Sequence, residues 1–246
     1  MLTAGVDLAA EPKGTALAVV DWTAGTAKVL DVQLSVTDEP IVKIASQVDK
    51  LGIDCALGWP QEFVNFVAQQ SDATLSQHNF DGGMEWRRSL AYRETDRHVR
   101  EVTGRWPLSV STDRLGLTAM RCAGLLSRLS ASGVEIDRSG SGLVTEVYPG
   151  ASLRLWGFNT SGYRTSQDLR ATLLNSLTAQ ATWLELGEYE ELMISSCDAF
   201  DAVIASLAAR ASALGRTLPP NEDQVSTARV EGWVALPVGP LSTLHE

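Results

Sequence analysis

Three acidic side chains lie in short apolar segments of this sequence. Asp7 ends an apolar run at residues 2–8, Asp54 lies inside a second run at residues 53–57, and Glu146 lies in the middle of a third. Short apolar runs bounded by turn residues are typical of buried strands. We therefore expect all three carboxylates to be carried by strands of one sheet.

Two further acids, Asp198 and Asp201, begin a helix rich in Ala and Leu over residues 198–214. Residues three apart on a helix are neighbours, with Cβ atoms about 5–6 Å apart. The same side continues with Ala205 and Ala208, and no charged residue follows until Arg210. A helix that is apolar on nearly every side is a buried helix, so both acids are predicted to begin inside the protein.

Burying several carboxylates together is costly, because like charges repel and each group loses its hydration. A divalent cation removes both costs, and Mg²⁺, or Mn²⁺ in its place, prefers oxygen ligands. Two such ions about 3.5–4 Å apart activate a water and stabilise the leaving oxygen in phosphodiester cleavage. The pattern predicts a metal-dependent phosphodiester hydrolase whose catalytic groups are Asp7, Asp54, Glu146, Asp198 and Asp201.

Each acid also has a structural interpretation. Asp7 and Asp54 could hydrogen-bond the amides of the turns that follow them. Glu146 could pair with an arginine, and Asp198 could stabilise the positive end of its helix dipole. The joint occurrence of all five in one order of elements favours the functional interpretation.

The residues from 85 to 128 form the one basic segment, with nine Arg against five acids. Within it Arg93, Asp96, Arg97 and Arg100 follow helical spacing, which predicts one shared face. Because a guanidinium suits phosphate, this face is a candidate substrate-binding surface that borders the acids. The alternative is a solvated network in which Asp96 pairs with the arginines. His98 is predicted to point away from this face and to be exposed.

The elements that position these groups predict an α/β fold. Strand patterns at residues 2–8, 14–21 and 27–36 are joined by short turns, which indicates an antiparallel meander. A helix at 38–50 and a fourth strand at 53–57 follow, and the fifth strand is at 143–148. We expect the first and fourth strands to be neighbours. Residues 70–84 are predicted to be a loop, 151–197 to be helical, and 233–236 to be a candidate edge strand.

The composition limits the function classes. The 246 residues carry a formal charge of −10, which opposes indiscriminate binding to nucleic acid but allows a local basic groove. Three widely spaced Cys without a Cys-x-x-Cys pair argue against a zinc site or a disulfide framework. No run is long enough to span a membrane, and no signal-peptide pattern is present. The expectation is a cytoplasmic protein without membrane partners.

Seven segments together resemble the domain-of-unknown-function family 429: GVDLA at 5–9, IDCALGWP at 53–60, RETDRHVR at 93–100, STDRLGLTAMR at 111–121, TEVYP at 145–149, DAFDA at 198–202 and EGWVALP at 231–237. The resemblance covers essentially the whole chain, although Ala56 stands where the family commonly has Pro. That family is described as predicted nucleases of the RNase H-like superfamily.

This resemblance implies a single RNase H-like domain over residues 1–246, with a mixed five-stranded sheet and a helical insertion at about 65–135. It implies a nuclease that binds Mg²⁺ or Mn²⁺, with Asp7 as the central ligand, and acts on DNA or RNA. The implied metal ligands are Asp7, Asp54, Asp198 and Asp201.

Two other functions remain open at this point. A non-catalytic interaction module on the same fold would suit the acidic net charge. A phosphotransferase of the sugar-kinase or actin-like type would use the hairpin at Gly14-Thr15, but no second glycine-rich phosphate loop follows a later strand. The substrate, the oligomeric state and the role of Glu231 are left open by the sequence.

Overall fold

A computed structural model describes residues 1–70 and 82–246, and over these residues the chain forms one mixed six-stranded sheet with helices on both faces. The strands lie in the order β5-β4-β1-β2-β3-β6. Their bounds are β1 Leu2–Asp7, β2 Ala16–Thr23, β3 Thr26–Leu34, β4 Lys50–Asp54, β5 Val144–Glu146 and β6 Leu184–Glu185. The α/β class and the antiparallel β1-β2-β3 meander are confirmed. β4 pairs parallel with β1 as expected, and β5 is parallel to β4.

The predicted strand count was wrong, because the described part of the chain has six strands rather than five. The additional strand β6 pairs parallel with β3 at residues 27–28. It has only two residues, which is too short for any periodicity to be visible in a segment predicted to be helical. The candidate edge strand at 233–236 forms only an isolated bridge between Val234 and Glu146.

The helices lie between and after the strands: α1 Asp38–Ala45, α2 Gln61–Gln70, α3 Gly83–Ala91, α4 Glu94–Thr103, α5 Gly116–Ala131, α6 Pro149–Leu155, α7 Gln167–Gln180, α8 Glu190–Ser195, α9 Cys197–Ala213 and α10 Val225–Glu231. The connection from β4 to β5 carries α2 to α5. Most of the loop predicted at 70–84 lies outside the described residues. No helix in the described ranges is long and apolar enough to cross a membrane.

Two apolar layers cover the sheet. One face packs against α9 with support from α6, α7 and α8, and the other packs against α1 and α5. Because side chains alternate along a strand, Ala4 and Val6 of β1 point toward α1 and α5. Asp7 therefore points to the opposite face, toward α9.

Helix α9 is almost fully buried against β1, β2 and β4. Its alanine-rich sequence favours the helix, and the Ser196 hydroxyl caps it by accepting a hydrogen bond from the Ala199 amide at 3.2 Å. Glycines on the strands permit a close approach. A Cβ on Gly52 would lie 2.7 Å from the Ala205 carbonyl oxygen, and one on Gly5 would collide with the α9 backbone at Ala202. The first turns of α9 consequently lie beside the ends of β1 and β4.

Candidate functional site

Asp7 and Asp54 are the last residues of two adjacent parallel strands and lie directly opposite each other in the register. Each acid follows a glycine by two positions, and residues two apart on a strand point to the same face. Gly5 and Gly52 face the backbone of α9, so both acids point to the α9 side of the sheet. No described residue forms a hydrogen bond or ion pair with the Asp7 carboxylate. The side chain of Asp54 is 19% exposed. The two strands therefore hold two carboxylates side by side at the edge of the sheet.

Helix α9 supplies the other two acids. Asp201 is buried in its second turn, and Asp198 is partly exposed in its first turn. The Tyr163 hydroxyl donates a hydrogen bond to Asp201 Oδ1 at 2.9 Å. The Cys197 thiol lies 3.7 Å from Oδ2 of the same carboxylate. Burial and the charge of Asp201 raise the pKa of Cys197 to about 12, so this thiol is no nucleophile near neutral pH.

One arginine contacts this cluster. Arg164 Nη2 lies 3.1 Å from Asp201 Oδ2 and 3.8 Å from Asp54 Oδ2. Its Nε donates to the Tyr163 hydroxyl at 3.1 Å. The Arg164 side chain is nevertheless 51% exposed. Arg170 fixes the preceding backbone by donating from Nη1 to the Tyr163 carbonyl at 2.8 Å.

The carboxylates hold more negative charge than one guanidinium balances. Burial, followed by the charges of Asp54, Asp201 and Asp198, raises the pKa of Asp7 to about 9. Burial raises the pKa of Asp54 to about 7, although Arg164 opposes that shift. The pKa values of Asp198 and Asp201 are also raised, mainly by burial. At neutral pH the Asp7 carboxyl therefore retains its proton.

The donor chemistry of these four acids fits a hard cation, but their present arrangement is not a preformed metal site. Within residues 1–70 and 82–246, no three His, Cys, Asp or Glu side chains are arranged to hold one ion together. The guanidinium of Arg164 lies against two of the oxygens that a cation would need. Binding an ion at Asp54 and Asp201 would require Arg164 to move, which its exposure allows.

Glu146 lies at the same edge of the sheet but is not part of this carboxylate group. Since Val144 packs toward α1 and α5, Glu146 points to that face, opposite to Asp54. Arg93 donates to both of its oxygens, at 2.7 and 2.8 Å, and the Leu57 amide donates at 3.0 Å. The structural alternative considered for Glu146, pairing with an arginine, is the arrangement found.

The expected shared face of Arg93, Asp96, Arg97 and Arg100 was wrong. Arg93 precedes the first turn of α4 in an extended conformation, so helical spacing does not apply to it. Arg93 and Asp96 are buried and joined at 2.9 Å, whereas Arg97 and Arg100 are exposed. The alternative, in which Asp96 pairs with the arginines, is confirmed for Arg93, but this pair is buried rather than solvated.

One other expectation about a polar residue needs correction. His98 was expected to be exposed, but it is half-buried and stacked on Trp233, with ring centroids 5.0 Å apart. Thr15 of the hairpin considered for phosphate binding is buried, and its hydroxyl accepts a hydrogen bond from Arg121 at 2.6 Å. Glu231 is a buried structural group that accepts from the Gln61 and Glu94 amides, each at 2.8 Å.

A pocket of about 230 Å³ opens at this edge of the sheet. Its polar lining comprises Asp7, Asp54, Arg93, Asp96, Glu146, Tyr148 and Arg164. Arg97 and Arg100 do not line it. Thus Asp7 and Asp54 on the α9 face and the Arg93–Glu146 pair border one cavity, whereas Asp198 and Asp201 are not part of its lining.

Sequence reasoning missed Tyr163 and Arg164, because they lie in a turn between α6 and α7, within a segment that was predicted to be helical. The two strand glycines did carry a signal, since GVD at 5–7 and GID at 52–54 repeat one spacing. A glycine two positions before each acid marks the face where a helix approaches the backbone. That spacing identifies the face on which both acids lie.

A comparison with family models matches residues 5–225 to the family described as "Protein of unknown function (DUF429)". The chain belongs to this family. The comparisons with curated proteins and with solved structures found no match. The family assignment inferred from the seven sequence segments is therefore confirmed, and the DUF429 description itself assigns no activity.

Proposed function

We propose that this DUF429 protein is a divalent-metal-dependent nuclease that cleaves phosphodiesters of DNA or RNA. The observation that carries the proposal is the convergence of four acids from two strands and one helix: Asp7 and Asp54 line the pocket, and Asp198 and Asp201 of α9 lie close enough to raise the pKa of Asp7. Mg²⁺ or Mn²⁺ would be held by these four acids. Their mutual repulsion supports this, because a cation removes the cost of keeping them together.

The sheet supports an RNase H-like assignment as part of the same proposal. Its first three strands form an antiparallel meander, and β4 and β5 extend the sheet from β1 in parallel. An acid at the end of the first strand is the position from which such nucleases bind their metal. Asp7 occupies that position at the centre of the sheet.

The bound cation would activate a water and stabilise the developing charge on phosphate oxygens. The residues of the chain have separate roles. Tyr163 orients Asp201 through its hydroxyl, and Arg164 balances part of the negative charge while no cation is bound. The Arg93–Glu146 pair fixes the wall of the pocket and is already saturated with hydrogen bonds. In this assignment Glu146 positions the wall and does not react.

The test is calorimetric titration of Mn²⁺ into the wild type and the Asp7→Asn variant. We expect the wild type to bind and the variant to lose at least about tenfold in affinity, since it lacks a central anionic ligand. Asp223→Asn, at an exposed position outside the pocket, is the matched control. Cleavage of single-stranded, duplex and branched DNA and of RNA should require Mn²⁺ and Asp7. Equal Mn²⁺ affinity in the wild type and Asp7→Asn would refute the proposed metal site.

A second candidate is a non-catalytic interaction module, favoured by the Arg164 contacts with Asp54 and Asp201. In that case Arg164 is a permanent structural partner of the acids. The same titration separates the two functions, because a module requires no Mn²⁺ binding and no cleavage of any of these substrates.

A further inference from the structure

Arg154, in the last turn of α6, carries hydrogen-bond donors without partners. Its Nε and Nη2 atoms are enclosed, and no described residue accepts a hydrogen bond from them. A buried donor without a partner costs free energy, which is why such groups are uncommon in folded proteins. The cost is recovered when an anion takes those donors.

The guanidinium of Arg154 lies beside the carboxylate pocket. Its Cζ is 5.6 Å from the ring centroid of Tyr148, which lines the pocket. A Cβ added to Gly150 would lie 3.5 Å from Arg154 Nη1 and 3.6 Å from the Tyr163 hydroxyl. Both groups therefore lie against Gly150 and close to each other. Since Tyr163 donates to Asp201, Arg154 is one side chain away from the carboxylates.

The other arginines near the pocket are already engaged. Arg93 donates to Glu146 and Asp96, and Arg164 contacts Asp54 and Asp201. The exposed arginines of α4 do not line the pocket. Arg154 does not line the pocket itself, but beside the pocket residue Tyr148 it is a positive charge whose Nε and Nη2 donors no described residue satisfies.

We propose that Arg154 binds a phosphate group of the substrate beside the carboxylate site. This inference rests on the proposed function, because it names the group that holds the polyanion while the acids face the bond to be cleaved. A guanidinium offers two parallel donors to a phosphate, which a lysine ammonium cannot do. Because its Nε and Nη2 atoms are enclosed, the Arg154 guanidinium must turn to reach an anion, and no hydrogen bond to the described residues opposes this movement.

The test uses inorganic phosphate as the probe, titrated into the metal-free protein in EDTA at constant ionic strength. We expect the wild type to bind phosphate and Arg154→Gln to lose at least about tenfold in phosphate affinity. The affinity of Arg154→Lys should lie between the two. Arg88→Gln removes the same charge at an exposed position on α3, and it should bind phosphate as the wild type does. Absence of phosphate binding by the wild type, or equal binding by Arg154→Gln, would overturn the proposal.

Mn²⁺ titration of the same variants separates this inference from the proposed function. We expect Arg154→Gln to bind Mn²⁺ with unchanged affinity, because Arg154 contacts none of the four acids. Phosphate binding that depends on Arg154 in a protein without Mn²⁺ affinity would support the anion site and reject the metal site. Loss of Mn²⁺ affinity in Arg154→Gln would overturn the separate role of Arg154.

Discussion

Replacement of Asp7 by Asn should stabilise the metal-free protein and change how its stability depends on pH. Burial and three neighbouring acids raise the pKa of Asp7 from 3.8 to about 9. The folded protein therefore retains a proton that the unfolded chain releases. The free energy of unfolding should fall as the pH rises from about 4 to about 9, which is the window between the two pKa values.

The size of this effect follows from the width of that window. Within this window each pH unit lowers the free energy of unfolding by about 1.4 kcal/mol. From the ordinary pKa of 3.8 to pH 7 the Asp7 carboxyl therefore lowers stability by up to about 4 kcal/mol. Asn cannot ionise and has nearly the same volume. The difference in unfolding free energy between Asp7→Asn and wild type should therefore grow by about 2–3 kcal/mol between pH 5 and pH 7.

Urea unfolding in EDTA at pH 5, 6 and 7 measures this difference, with Asp223→Asn as the exposed control. Adding Mg²⁺ at about 100 times its dissociation constant should stabilise the wild type by about 2.7 kcal/mol. The same addition should stabilise Asp7→Asn by no more than about 1.4 kcal/mol, because a tenfold weaker site then sees only about 10 times its dissociation constant. Parallel pH profiles for wild type and Asp7→Asn would refute the reasoning, because the cost of the Asp7 charge would then be absent.

Three other variants test the surroundings of the site. Gly52→Ala should lower the free energy of unfolding in urea by about 3 kcal/mol, because its Cβ would lie 2.7 Å from the Ala205 carbonyl oxygen. Gly124→Ala, whose Cβ would have no atom within 4 Å, should instead raise the free energy of unfolding. Arg164→Gln should tighten Mn²⁺ binding in calorimetry, because it removes a cation that competes for Asp54 and Asp201; weaker Mn²⁺ binding would contradict this. Arg93→Met should cost about 3–5 kcal/mol in urea unfolding, since it leaves the buried carboxylates of Glu146 and Asp96 without the guanidinium that neutralises them; a loss below about 1 kcal/mol would show that the pair is not needed.

The sequence predicted the central part of the sheet because its strands are long enough to show a pattern. Apolar runs bounded by turns located β1, β2 and β3, and the short connections gave the meander, whereas β4 begins and ends three residues before the run predicted at 53–57. The two-residue strand β6 has no period of its own and forms only through pairing with β3. Its presence depends on tertiary packing, which a local pattern cannot report.

The site was predictable where acids interrupt apolar elements, and less so where side-chain direction decides the role. Asp7, Asp54 and Asp201 were identified because a carboxylate in an apolar run is unusual. Glu146 has the same sequence signature, yet it points to the other face of the sheet and binds Arg93. Since the fold positions β5 relative to β4, the sequence could not tell which face its acid would occupy.

Some acids near the pocket have hydrogen-bond and charge partners whereas Asp7 has none, and this difference bears on function. Glu146 and Asp96 share the fork of Arg93, and Glu231 accepts two backbone amides, so these buried carboxylates are compensated. Asp7 lies nearby at the end of the central strand, and no described residue offers it a hydrogen bond or an ion pair. A fold that satisfies these buried acids and leaves the half-buried Asp7 without a partner retains a cost that stability alone would remove. This difference is what a site reserved for a cation requires, and it is why the Asp7 variant discriminates most sharply between a nuclease and a structural module.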